Sequence, residues 1–171
     1  MDRILQASEY RAEQLAVNSD DLLPVLRQAG HLLDWEGESI VPEGPQESLI
    51  DYLAEHHASA SPMTLALLYA FRRLYGAGAA RIHNQVMRYM RTVEAFVGHY
   101  GAGPIVLARS PARINILGEH VDYVQYLPTE VLPFASREHD MLMIFRPTDR
   151  AAVRARSTLP KTKATEFALS D

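Results

Sequence analysis

The chain has 171 residues, 22% of them charged, and a formal net charge of −4. That length allows one ordinary domain with a real core, or part of a domain with an extension. The charge is not concentrated and positive as in a nucleic-acid binder. With no cysteine there is neither a disulfide nor a thiolate metal site, which suits a reducing compartment.

The start, Met1-Asp2-Arg3-Ile4-Leu5-Gln6, has no basic segment leading into an apolar run. No stretch approaches the roughly 20 apolar residues of a membrane span. The expectation is a cytoplasmic protein with no membrane partner. The modest net charge hides an asymmetry. Residues 1–60 hold 3 basic and 12 acidic side chains, a balance of −9, and residues 61–171 hold 14 and 9, a balance of +5. The two parts are expected to attract one another.

The first 30 residues read as two short helices. The second is capped at Ser19 or Asp20, carries Pro24 in its first turn and Leu22, Leu23 and Leu26 at helical spacing, and closes near Gly30. Gly37, Pro42, Gly44 and Pro45 make the stretch after His31 a connector, with His31 and Trp35 as packing residues. A helix over about 45–57 follows. Ser61-Pro62 announces another, ended by Gly76, with Leu67, Phe71 and Leu74 in one apolar row and Leu65, Leu68 and Tyr75 beside it. A third, from about Ala80 to Val97, repeats Ile82, Val86, Tyr89, Val93 and Phe96 and stops at Gly98. His56 and His57 are adjacent, so on a helix they point about 100° apart and make no metal pair.

Residues 71–100 carry Arg72, Arg73, Arg81, Arg88 and Arg91 against Glu94 alone. A DNA-reading helix pair would look similar, but Arg81, Arg88 and Arg91 share one face, as on any solvated amphipathic helix. No nucleic-acid partner is expected.

Strands are predicted at 104–108, 113–117, 130–134, 141–146 and 151–157, and a further one at 165–169. Met141 to Phe145 is apolar on both faces and should be central, whereas Val153 to Arg156 alternates as an edge strand would. The fold class is α+β. A helical part, residues 1–90, precedes a strand-rich part, residues 91–171.

Within ten residues of Arg113 stand Glu119, His120 and Asp122, after a glycine at 118 that lets the chain turn sharply. On the residues alone, two readings stand. One is a salt-bridged surface turn. The other is a pocket for a polyhydroxylated ligand, because carboxylates accept hydrogen bonds from neighbouring hydroxyls, imidazole both donates and accepts, and a guanidinium suits a transferring phosphoryl group.

The run from Pro111 to Tyr123, Pro-Ala-Arg-Ile-Asn-Ile-Leu-Gly-Glu-His-Val-Asp-Tyr, closely resembles the signature of the galactokinase branch of the GHMP sugar kinases, usually Pro-Gly-Arg-Val-Asn-Leu-Ile-Gly-Glu-His-Thr-Asp-Tyr. The resemblance extends over about residues 92–171. It implies that Glu119, His120 and Asp122 bind sugar hydroxyls. It further implies that Arg113 both binds the substrate and serves catalysis beside the anomeric oxygen and transferred phosphate, with Asn115 as a structural partner. Ala112 replaces the family's glycine and Val121 its threonine, and the loop from Val124 to Glu130 is longer than the family's and lacks glycine.

The family's Pro-x-x-x-Gly-Leu-x-Ser-Ser phosphate loop and its later catalytic aspartate do not occur before Asp171. What the resemblance implies is therefore the N-terminal portion, truncated, of a GHMP-kinase-like sugar kinase. The full-length parent would use ATP and Mg2+ to phosphorylate the anomeric hydroxyl of a hexose such as galactose. This piece alone is expected to bind no nucleotide, to be inactive and to self-associate through uncovered sheet. The alternative is a non-catalytic sugar-binding regulator on the same fold.

Overall fold

The computed structural model describes residues 13–33, 60–76, 78–117 and 132–169. They form three helices and two antiparallel sheets, an α+β arrangement. In chain order the elements are β1 (Glu13–Asn18), α1 (Ser19–Leu33), α2 (Pro62–Tyr75), α3 (Ala79–Tyr100), β2 (Pro104–Leu117), β3 (Leu132–Phe145), β4 (Ala152–Ala155) and β5 (Thr165–Ala168). One sheet has the order β1-β2-β3, and β4 pairs with β5 in the other.

Local signals account for the helix ends. At α2, Ser61 accepts the Thr64 N–H at 3.1 Å and Pro62 occupies the first turn. Gly76, at φ 90°, closes the helix by donating to the Arg72 carbonyl at 2.9 Å. At α1 the Asn18 side chain accepts the Asp20 N–H, and Asp20 and Asp21 sit where the helix dipole favours anions. Pro24 lies in the second turn of α1 rather than the first, because the helix begins at Ser19.

Several sequence expectations are corrected. Residues 13–18 are a strand, not a helix: they pair with β2 from Glu13↔Arg109 to Asn18↔Pro104. Their partner lies some 90 residues along the chain, so local pattern alone does not reveal it. Gly30 does not end α1. It is buried inside the helix, where a Cβ would meet Met87 Sδ at 3.3 Å, so glycine here permits close approach of α1 to α3. His31 is exposed rather than packed. Gly98 likewise lies within α3, and Gly101 at φ 80° is the residue that stops it. The strands expected at 104–108 and 113–117 are one strand, β2. The two expected at 130–134 and 141–146 merge into β3 over its described length. The helix expected over about 45–57, Trp35 and the His56-His57 pair lie outside the described residues.

The core lies between the helices and one face of the sheet. Leu22, Leu26 and Ala29 of α1 meet Leu68, Phe71 and Tyr75 of α2, Ile82, Val86 and Val93 of α3, and Ile105 and Leu107 of β2. Ile82, Val86 and Val93 belong to the row predicted for α3, with Tyr89 and Phe96 partly buried, and α2 buries Leu68, Phe71 and Tyr75 across its two predicted rows, with Leu65, Leu67 and Leu74 partly buried. Ser19 ties α1 to the start of β2, donating its N–H to the Gly103 carbonyl and accepting the Gly103 N–H on its hydroxyl.

The opposite face of the sheet is uncovered among the described residues. Met141, Met143, Phe145, Ile114, Ile116 and Phe134 are all exposed, Ile116 to 67%. Among the described residues Met141–Phe145 is at an edge rather than in the central position expected from its apolar run. β3 is an edge of the sheet and β2 its centre. β4 and β5 are exposed along almost their whole length.

Candidate functional site

β2 carries Arg113 toward its C-terminal end, opposite Ala135 of β3. The guanidinium belongs to an exposed residue and makes no ion pair with any described residue. Asn115 lies two residues on, opposite Pro133. Glu119, His120 and Asp122 fall outside the described residues, so of the four expected sugar-site residues the structure describes only Arg113.

Just before Arg113 the chain builds a buried polar cluster. The Asp140 side chain is 0% exposed and lies between two guanidiniums. Arg109 Nε donates to its Oδ2 at 2.5 Å, and Arg88 Nη1 donates to its Oδ1. The Tyr75 hydroxyl donates to Oδ2 at 2.9 Å and also lies 3.0 Å from the Tyr89 hydroxyl. Arg109 stacks over the Tyr75 ring, its guanidinium carbon 4.9 Å from the centroid. Burial pushes the Asp140 carboxyl up, but hydrogen bonds from Arg88, Tyr75 and Arg109 and the Arg88 charge together outweigh it, holding the pKa below the ordinary aspartate value. Burial, reinforced by its hydroxyl neighbour Tyr89, drives the Tyr75 pKa far up, and burial also raises that of Tyr89.

Sequence reading missed this cluster. It placed Arg88 on a solvated face with Arg81 and Arg91, whereas Arg88 is mostly covered and bonded to Asp140. One signal was present: Arg109 alternates with Ile105 and Leu107 along β2, on the face that turns inward. An arginine at a buried strand position requires an acidic partner, though its identity is a tertiary fact.

A recess of about 240 Å³ lies between the end of α3, at His99 and Tyr100, and the β4–β5 hairpin. Arg154 lies over the Tyr100 ring there and reaches Glu166 at 3.8 Å. It adjoins the Pro104 end of β2, the opposite end from Arg113. Among the described residues, no three histidine, aspartate or glutamate side chains converge to hold a metal, and no helix is long and apolar enough to cross a membrane.

Residues 94–147, from the second half of α3 through β3, match the galactokinase galactose-binding signature. That stretch is galactokinase-related. The chain is 36% identical over 76 residues to the galactokinase of Schizosaccharomyces pombe, a stretch covering 44% of this chain and 14% of that protein. Against the galactokinase of Saccharomyces cerevisiae the identity is 44% over 50 residues, 29% of this chain and 9% of the relative. Against that of Roseiflexus sp. (strain RS-1) it is 53% over 30 residues, 18% and 8%. The matched stretches thus span at most 14% of these galactokinases' own lengths. No solved structure matches the chain. Within the galactokinase-related stretch lie α3 from Glu94 on, all of β2 and β3, Arg109, Arg113 and Asp140. Tyr75 and Arg88, which complete the polar cluster, lie before it.

Proposed function

We propose that this chain is the sugar-binding part of a galactokinase-like kinase, whose full-length protein transfers the γ-phosphate of ATP to the anomeric hydroxyl of a hexose such as galactose. The observation that carries the reading is the galactose-binding signature over residues 94–147, with Arg113 exposed near the end of β2 and no counter-ion among the described residues. An exposed, permanently charged planar donor near a strand end is available to a phosphoryl group or a sugar oxygen. In this reading Glu119, His120 and Asp122 accept or donate hydrogen bonds to the sugar hydroxyls, and Arg113 serves both binding and phosphoryl transfer. The expected compartment is the cytoplasm.

ATP and Mg2+ belong to this reading only outside the described residues, which do not fit a nucleotide. A phosphate cradle needs several converging backbone N–H donors at a helix start. Here α1 opens on Asp20 and Asp21, whose charges oppose a phosphate, and α2 opens on Pro62 with Ser61 already holding the Thr64 N–H. α3 opens at Gly78 without a side-chain cap, a single helix end rather than a loop of donors. The chain alone is therefore proposed to bind no nucleotide.

Calorimetric titration of the 171-residue chain with galactose and, separately, with magnesium-ATP tests both halves of the reading. Saturable galactose binding lost in Asp122→Ala supports it. A nucleotide site tighter than about 1 mM, near −4 kcal/mol, would sink the assignment of ATP elsewhere.

A further inference from the structure

β2 and β3 fall out of step twice, between Pro111 and Arg113 and again between Asn115 and Leu117, and the first of these lies just before Arg113. Between the pairs Pro111↔Asp140 and Arg113↔Ala135, a single residue of β2, Ala112, faces four residues of β3, 136–139. An insertion of this kind bends the strand and re-aims every side chain beyond it. Just beyond this one lies Arg113. The backbone ladder is interrupted there, so side chains must hold its shape.

Arg109 bridges the irregularity. Its Nε donates to the Asp140 carboxylate on one side, and its Nη2 donates to the Ser136 carbonyl, at 3.4 Å, on the other. Arg88 grips Asp140 twice, through the carboxylate and through the backbone carbonyl at 3.1 Å. Tyr75 adds a donor from α2, and inside the insertion the Ser136 hydroxyl accepts the His139 N–H at 3.0 Å. Helices α2 and α3 are thereby joined to the point where the sheet changes register.

We propose that Arg109, Asp140 and Arg88 are positioning residues of the sugar site, acting through this insertion to aim Arg113. The proposal rests on the reading of the signature as sugar-binding. Stability alone is a poor reason for such a cluster, since apolar side chains of similar volume fill a core as well or better than a buried ion network. Apolar side chains do not, however, fix the direction of an interrupted strand; short, directional, charge-assisted hydrogen bonds do.

The test uses the 171-residue chain with Arg88→Met, Arg88→Lys, Tyr75→Phe and Asp140→Asn, each measured where circular dichroism shows it folded. Galactose affinity is read by calorimetry, and amide exchange at 113–117 is compared with that at 105–107. Arg88→Met should weaken galactose binding by about fivefold or more, the size of one net hydrogen bond. Arg88→Lys, which keeps the charge, should recover part of that loss. Exchange at 113–117 should quicken more than at 105–107. If thermal stability falls while affinity and the exchange ratio stay at wild-type values, the cluster is only structural and the proposal is overturned. Should Asp140→Asn fail to fold, the Arg88 and Tyr75 variants decide. If wild type itself binds no galactose, the sugar reading falls, and the exchange ratio still decides whether the cluster sets the strand beyond the insertion.

Discussion

A carboxylate held between two guanidiniums and a phenol is sensitive to pH in a calculable direction. The Asp140 pKa is depressed in the folded chain, so its contribution is complete above the ordinary value of 3.8 and is lost as pH falls through the lower folded value. Urea unfolding of wild type should therefore lose stability below about pH 4, and Asp140→Asn should lack that portion of the loss. At neutral pH the same substitution leaves Arg109 buried against an uncharged amide, which should cost about 3–5 kcal/mol. The Tyr75 hydroxyl has the opposite linkage: its folded pKa is raised, so its contribution is present below the ordinary value of 10.0 and is lost above it. Ultraviolet titration should leave Tyr75 un-ionised until the chain unfolds, a signal that Tyr75→Phe removes. In the galactokinase reading, Asp122→Ala should raise the KM or Kd for sugar by roughly tenfold or more, since charged hydrogen bonds contribute about 1.5–3 kcal/mol. Arg113→Ala in the full-length kinase should instead lower kcat by about 10²-fold with a smaller change in KM, because a cation beside the transferred phosphate acts mainly in the transition state. Near-normal kinetics in both would return the turn to a salt-bridged surface feature.

Among the elements, α3 shows how an end is secured where sequence pattern points elsewhere. Gly98 is exposed, with nothing within 4 Å of where a Cβ would sit, so the helix runs through it at little packing cost. It stops at Gly101, whose φ of 80° and ψ of 166° lie in a region open almost only to glycine. Arg146 then covers the end, donating to the carbonyls of Pro104, Tyr100 and Gly101 and lying over the Phe96 ring. Gly101→Ala should destabilise the chain by about 1–3 kcal/mol in urea melts, and Gly98→Ala should be neutral or stabilising. Leu26 of α1, fully buried among all three helices, should cost about 2–5 kcal/mol when cut to alanine. An equal effect at positions 98 and 101 would contradict the assigned helix end.

At the scale of the whole molecule, helices cover one face of the sheet, and among the described residues nothing covers the other. Met141, Met143, Phe145, Ile114 and Phe134 present apolar side chains on β2 and β3, and β3 leaves one edge unpaired among the described residues. Such a surface binds apolar probes and favours association. The 171-residue chain should bind an apolar fluorescent dye and sediment with concentration-dependent mass. Met141→Lys with Met143→Lys should reduce both, because these residues are solvent-facing and their replacement leaves the core intact. A monomer at all concentrations with no dye signal would mean that this face is covered.

Much of this was written locally. The α2 boundaries follow from Ser61, Pro62 and Gly76, the buried rows of α2 and α3 from apolar spacing, and the candidate sugar site from the signature around Arg113, because caps, periodicity and a contiguous motif are all short-range properties of a chain. The sequence by itself determined those, along with the α+β class. Only the tertiary structure decided that residues 13–18 are a strand, that Met141–Phe145 lies at an edge, that Gly30 serves a helix contact, and that Arg88 and Arg109 share Asp140. Each of these depends on a partner far away in the chain, and hydrogen-bond pairing, close approach and charge compensation exist only once that partner has been brought within a few ångströms.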